Sequence, residues 1–308
     1  MAYSWIMQKY ILEKLRGEFL NRGSLDALPE NIWKGMSSLN TYGTNAIEGN
    51  TLTYDEVETV LLDQKGVEKP IADIMETLQH EKAFRNLINR RARPIDLINI
   101  LELHEEIFKG LMADAGQWRR TNVVIRGAQF SPPRPEKVVM RMEELIKEYD
   151  QRDLEGEEPF TLGSWMHHGF ESIHPFSNGN GRVGRLLLNL HLMKHNWPPV
   201  NVLPGDREAY LKSLQAGNRG DLAPLTDFIM VRTGSSLLNL LSQVGTIEDE
   251  LKPLVKFQGG ETYSAKYLAL RADQGELPAI KVKNRWQSSE RALQLYIEVV
   301  GRKASGAQ

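Results

Sequence analysis

Apolar positions recur at three- and four-residue steps along most of the chain, which is the periodicity of amphipathic helices. Ile6, Tyr10, Leu12 and Leu15 start a first helix, in which Lys9, Glu13 and Lys14 interrupt the apolar patch. Ile71, Ile74, Met75, Leu78, Phe84 and Leu87 predict a helix over 71–90, and Ile98, Leu101, Leu103, Ile107 and Phe108 another, ended by Gly110. Val138, Met142, Leu145 and Ile146 mark one more. Leu162, Trp165, Met166, Phe170 and Ile173 form a helical face for which Thr161 is a candidate N-cap. Val183, Leu186, Leu187, Leu190 and Met193 form the next face, which stops before Pro198-Pro199. There is no strand–helix alternation and no internal repeat. One segment departs from the pattern. Residues 120–130 (RTNVVIRGAQF) are β-prone, and Gly127 supplies a turn signal. They predict a small hairpin, against the alternative of a loop packed on the helices.

Past residue 230 the composition changes. Thr233-Gly234-Ser235-Ser236 precedes a leucine-rich connecting helix, and Gly245-Thr246 and Gly259-Gly260 punctuate the chain beyond it. A separate small domain is therefore expected from about residue 245. It reads as a helix capped by Ser264, a short hairpin over 275–286 and a final helix from Ser289 to Val299.

Composition narrows the function classes. The 308 residues carry 38 basic and 40 acidic side chains, a formal net charge of −2. That balance excludes a globally basic nucleic-acid coat and an acidic disordered tail. With no cysteine, disulfides, thiolate metal sites and a cysteine nucleophile are excluded. No apolar run approaches the roughly 18 residues of a membrane span, and the charged N-terminal helix is unlike a secretory leader. A cytoplasmic protein without a membrane partner is the expectation.

The candidate chemistry lies between the two central helices, in HPFSNGNGRVGR over residues 174–185. Gly179 and Gly181 allow backbone N–H groups to converge on a ligand. The loop opens a helix, whose N-terminus favours negative charge. Arg182 and Arg185 are three residues apart in its first turns, so both guanidinium groups lie on one face, as successive phosphates require. His174 stands at the mouth as a general base. Each feature alone has a structural explanation: a tight helix–helix turn, a core histidine, a solvated arginine pair. Their concentration within one short loop favours phosphate chemistry.

This loop resembles the signature of the Fic family, H-x-F-x-[D/E]-G-N-G-R-x-x-R, matching at His174, Phe176, Gly179, Asn180, Gly181, Arg182 and Arg185. Asn178 departs, standing where the family has an acidic residue. The likeness extends over most of residues 40–230, including the 120–130 segment and Arg207-Glu208-Ala209-Tyr210. It implies a mainly α fold: a Fic-type helical core with a small β-hairpin flap. It also implies an enzyme that transfers AMP from ATP to a Tyr, Ser or Thr hydroxyl of a target protein or of itself. His174 would be the base, and Gly179, Asn180, Gly181, Arg182 and Arg185 would bind the nucleotide. Val123, Val124 and Ile125 would form a target-docking flap. Mg²⁺ would bridge the phosphates. Asn178, in the metal position, offers a neutral oxygen to a hard cation, which implies weaker retention or a preference for Mn²⁺.

Thr44-Asn45-Ala46-Ile47-Glu48-Gly49-Asn50 resembles the family's inhibitory motif through Thr44, Glu48 and Gly49. Read locally, Gly49 and Asn50 are helix C-caps and Thr53 with Glu56 a capping box, which leaves Glu48 unexplained. The resemblance implies a class II brake in which Glu48 pairs with Arg185 and denies it to the γ-phosphate. Removal of AMP, known of some class II relatives, stays open, and a homodimer is a further expectation.

The C-terminal region resembles winged helix-turn-helix modules. Residues 281–303 hold six basic against two acidic side chains. Lys266, Arg271, Lys281, Lys283 and Arg285 are the candidate DNA contacts, with a small packing or dimerisation domain as the alternative. The domains expected are 1–60 with the inhibitory motif, a core over 61–235 and the winged-helix-like 245–308. Two function classes remain: an autoinhibited adenylyltransferase, and a nucleotide-sensing DNA-binding regulator with little transfer.

Overall fold

The computed structural model describes residues 2–125, 130–257 and 263–304, and its chain divides into two compact units. One comprises Pro29–Phe228. The other joins Met1–Leu28 to Ile229–Gln308. Helix α1 (Ala2–Leu20) belongs to the second unit, and helices α2 (Glu30–Ile47), α3 (Tyr54–Leu61) and α4 (Ile71–Arg90) to the first. They are followed by α5 (Leu97–Phe108), α6 (Val138–Leu154), α7 (Pro159–Ile173), α8 (Asn180–Lys194) and α9 (Arg207–Gly217). Helix α10 (Ala223–Val244) runs across the boundary between the units.

In the 29–228 unit, α8 is the centre. Every residue from Arg182 to Met193 is buried, so this helix is enclosed on all sides rather than amphipathic. Helix α7 packs against α8 and α6, and α4 packs against α2, α5 and α8. The core is built from Phe160, Met166, Phe170, Phe176, Leu187 and Trp197, each 1% exposed or less. Asn189, the one asparagine inside α8 past its first turn, pairs its amide with both the N–H and the carbonyl of Val200. Its polar group is thereby satisfied in an apolar setting.

The N-cap of α7 is Glu158, not Thr161. Its carboxylate accepts from both the N–H and the hydroxyl of Thr161, and Pro159 takes the first helical position. Proline at that position loses no hydrogen bond and presets φ, so the helix starts three residues earlier than the apolar pattern indicates. Residues 121–125 have no regular secondary structure. The hairpin turn expected at Gly127 lies outside the described residues.

In the other unit, α1 packs against α12 (Glu290–Ala304). The apolar face Ile11, Leu12, Leu15 and Phe19 is buried there. The division expected at residue 60 is replaced accordingly, since an amphipathic helix goes with whatever face covers it. The Thr233–Ser236 segment does not precede a helix but lies in the middle of α10. The Thr233 and Ser235 hydroxyls donate to the carbonyls of Ile229 and Val231, which lets polar residues sit inside a helix. Strands β1 (Lys252–Pro253), β2 (Ile280–Val282) and β3 (Arg285–Ser288) form an antiparallel sheet in the order β1-β3-β2. Helix α11 (Ala265–Asp273) is capped by Ser264. The β2–β3 turn has positive φ at Lys283 and Asn284, as a tight two-residue hairpin requires. Among the described residues no helix is long and apolar enough to cross a membrane.

Candidate functional site

The loop 174–179 joins α7 to α8 and is fixed from within. Phe176 is fully buried and lies between the rings of His104 and Trp118, with centroids 3.8 and 5.2 Å away. Asn180 donates to the Phe176 carbonyl at 2.9 Å and accepts from its N–H at 2.8 Å. This alters the role expected for Asn180. Its side chain braces the loop, and its backbone N–H stands in the open first turn of α8. Gly179 has φ 78°, and a side chain there would run into the Phe108 ring, so only glycine closes this turn. The first intrahelical bond of α8 runs from the Val183 N–H to the Gly179 carbonyl. The amides of Asn180, Gly181 and Arg182 precede it and form the open N-terminus of the helix.

His104 was not signalled by any motif, yet it anchors the loop. The Gly116 N–H donates to its Nδ1 at 2.9 Å, and Nε2 lies 3.2 Å from the Asn178 carbonyl. Burial pulls its pKa down to about 4, so the ring is neutral, accepting at one nitrogen and donating at the other. Asn178 is exposed, and its Oδ1 accepts from the Gly179 N–H at 2.7 Å. Beside it, Ser177 donates to Asp114.

His174 caps α7 in a left-handed conformation, with φ 52° and ψ 60°. Its Nδ1 lies 3.3 Å from the Glu171 carbonyl. A carbonyl only accepts, so Nδ1 carries the proton and Nε2 keeps its lone pair. Burial holds the His174 pKa below the usual histidine value.

The two arginines differ in their partners. Arg185 is buried and held on two of its nitrogens: Nε donates to Thr44 Oγ1 at 2.6 Å, and Nη2 donates to the Thr44 carbonyl and to Glu48 Oε1 at 2.7 Å. Arg182, 3% exposed, lies over the Phe108 ring. Its Nη1 is 2.8 Å from Glu76 Oε1 but is not aligned for a hydrogen bond, and its Nε has no hydrogen-bond partner among the described residues. A buried guanidinium with an unmade hydrogen bond points to an anion it has yet to meet.

Glu48 reaches this site because of how α2 ends. Asn50 N–H bonds to the Asn45 carbonyl and Gly49 N–H to that of Ala46, with Gly49 at φ 100°. That is a Schellman turn with Glu48 as its C-cap. The capping box of Thr53 and Glu56 then starts α3. Asn50 also donates to the Asp73 carbonyl and to Glu76, and Thr51 donates to the Asp73 carboxylate, fastening the turn to α4. A Cβ on Gly181 would overlap Glu48 Oε1, so the carboxylate lies directly over the loop backbone. Burial raises the Glu48 pKa, but the Arg185 guanidinium outweighs it and holds the carboxyl below its usual range. Glu171, on α7, is the second carboxyl beside Arg185. Burial pushes its pKa up to about 7, and its Oε1 has no hydrogen-bond partner among the described residues.

The remaining expected residues lie elsewhere. Val124 is 91% exposed, and Val123 and Ile125 are half-buried. Lys266, Lys281, Lys283 and Arg285 are exposed in the other unit. Arg271 is committed to Glu276 at 3.1 Å and to the Tyr267 ring.

Residues 94–192 match the model of the Fic/DOC family. The chain is 29% identical over 238 residues to protein adenylyltransferase fic-1 of Caenorhabditis briggsae, covering 75% of this chain and 46% of that protein. It is 31% identical over 193 residues to protein adenylyltransferase Fic of Nematostella vectensis, covering 61% and 45%. The chain thus spans about half the length of these curated relatives. Among solved structures, residues 134–508 of Fic-1 from C. elegans superpose with a TM-score of 0.66 at 27% identity, covering 78% of this chain and 72% of that one. A Fic domain containing signaling protein from Bacteroides thetaiotaomicron shares the fold, with a TM-score of 0.69 at 24% identity, covering 77% of this chain and all of that one. The loop 174–179 falls within the stretch, residues 94–192, over which this chain is similar to the Fic/DOC family.

Proposed function

We propose that the chain is an autoinhibited protein adenylyltransferase. The observation that carries this reading is the buried arginine pair at the open N-terminus of α8, with Arg182 left an unmade hydrogen bond and Arg185 covered by Glu48. ATP would lay its triphosphate along this face. The amides of Asn180, Gly181 and Arg182 would hold the α-phosphate oxygens, Arg182 the β-phosphate and Arg185 the γ-phosphate. A hydroxyl of the target protein, or of the chain itself, attacks the α-phosphorus while its proton passes to His174 Nε2. The α–β bridging P–O bond breaks, and pyrophosphate leaves with the electron pair. Positioning and charge stabilisation supply the rate. Residues 121–125 would align the target backbone. A regulator that only senses nucleotide has no use for a histidine held with Nε2 free, which favours the enzyme.

The donor set beside the loop suits a divalent cation modestly. Mg²⁺ keeps most of its waters and takes its remaining ligands from substrate phosphates, so a single protein oxygen suffices. Asn178 Oδ1 would be that oxygen, though neutral and already accepting from Gly179. The cation, when bound, would neutralise charge on the departing pyrophosphate. Asn178→Asp is therefore expected to lower the Mg²⁺ concentration for half-maximal transfer by about tenfold, the effect of one charged ligand oxygen. A Mg²⁺ titration of both proteins checks this, and coincident curves would refute it. The function itself is tested by intact mass after incubation with each nucleoside triphosphate and Mg²⁺ or Mn²⁺. A gain of one nucleoside monophosphate supports transfer. Unchanged mass in every arm, with the brake removed as well, rejects it.

A further inference from the structure

Arg119 lies on the chain just before residues 121–133, and its side chain is buried, 2% exposed. It forms no ion pair among the described residues. Its guanidinium donates instead to backbone carbonyls of two separate segments. Nε donates to the His174 carbonyl at 2.8 Å, and Nη2 reaches the Ile173 carbonyl at 3.4 Å. Nη1 donates to the Thr121 carbonyl at 2.9 Å, and Nη2 also donates to that of Pro133. The Arg119 N–H donates to the Pro175 carbonyl at 3.0 Å.

Each half of this arrangement has a physical rationale. The C-terminal carbonyls of α7 lack intrahelical partners and carry the negative end of its dipole, so a cation is favoured there. His174 sits in the left-handed region at φ 52°, which disfavours non-glycine residues and persists only with outside support. The other two carbonyls, of Thr121 and Pro133, are the two ends of the segment that carries Val123, Val124 and Ile125. A planar guanidinium with five donors spans all four acceptors, which the point charge of lysine does not.

We infer that Arg119 is a positioning residue that couples the base of the 121–133 segment to His174. A target aligned along residues 121–125 is thereby brought into register with the base through backbone contacts alone, whatever side chains the segment carries. This rests on the adenylyltransferase reading above. A misplacement of about 1 Å between base and hydroxyl is enough to cost on the order of a hundredfold in rate.

The test compares wild type, Arg119→Lys and Arg119→Gln by amide hydrogen exchange on the full chain. Protection is expected to fall by about tenfold or more at the amide of residue 119, which leads into 121–125, and at those of His174 and Phe176 together, with amides 186–190 of α8 unchanged. Loosening of one segment without the other, or of neither, overturns the coupling. In the Glu48→Gly background, Arg119→Lys is expected to lower kcat by about 10- to 100-fold while KM for ATP stays within about twofold. A raised KM with unchanged kcat overturns the assignment, because it makes Arg119 part of nucleotide binding. If Glu48→Gly shows no transfer, the adenylyltransferase reading fails, while exchange still decides the coupling. Should both variants fail to fold, native-state exchange of the wild type in sub-denaturing urea decides it. The two segments must then open with the same denaturant dependence, and separate openings refute the proposal.

Discussion

Glu48→Gly is expected to increase nucleotide transfer by about 10- to 100-fold, the equivalent of removing one charge-assisted hydrogen bond of about 1.5–3 kcal/mol that competes with the γ-phosphate. Three features set this direction. Glu48 Oε1 holds Arg185 Nη2 at 2.7 Å. The same carboxylate lies over Gly181, where the triphosphate must approach the loop backbone. Its pKa is held below the ordinary range by Arg185, so at neutral pH it is an anion placed where an anion has to bind. Removal therefore relieves both the competition for Arg185 and the repulsion. Arg185 keeps its bonds to the Thr44 hydroxyl and carbonyl, so it stays in position when the carboxylate is gone. The cost falls on stability, since a buried guanidinium loses its counter-ion, and the melting temperature should drop. Transfer is read as the rate of monophosphate gain at saturating ATP and Mg²⁺. An equal rate for the two proteins would show that Glu48 is only the cap of α2.

The sequence made one half of this contact legible and hid the rest. The Glu48–Arg185 pairing, across 137 residues, was legible only through the resemblance of both segments to Fic-family motifs. His104, Glu76 and Arg119 have no such signature. Each acts on a partner 55 to 106 residues away through a carbonyl or a single ion pair, and a carbonyl leaves no trace in residue type. The helices were legible wherever one face is buried and one exposed. The periodicity did not name the face that covers α1, nor show that α8 is enclosed all round. At α7 a Glu-Pro start was hidden by a nearer threonine, because threonine is a preferred N-cap and glutamate is not, and only the proline marks the earlier start. The Thr233–Ser236 stretch hid the earlier start of α10 for a related reason. Hydroxyls that usually open turns return their hydrogen bonds to their own helix here.

His174→Ala is expected to lower transfer by about 10²- to 10⁴-fold, the usual contribution of a positioned general base, with nucleotide affinity unchanged. Placed on Glu48→Gly, where the rate is easiest to measure, it should remove the mass gain that variant shows. The pH dependence carries the same claim in a form a structural role would not reproduce. The base works as neutral imidazole. Burial pulls its pKa below 6.5 and the Glu48 carboxylate pushes it up, so the active form already predominates at pH 7 and is lost as pH falls through that lowered value. Removing Glu48 takes away the upward push, and the acid limb of the Glu48→Gly profile should therefore lie below pH 6.5. Glu171, held up to about 7 by burial, titrates above this window, and Glu171→Gln separates the two. An acid limb centred near 7 that disappears in Glu171→Gln would transfer the titration from the histidine to the carboxyl. A limb below 6.5 that survives that substitution assigns it to His174, whose backbone carbonyl Arg119 grips and whose Nε2 the Glu171 carbonyl leaves free by fixing the proton on Nδ1.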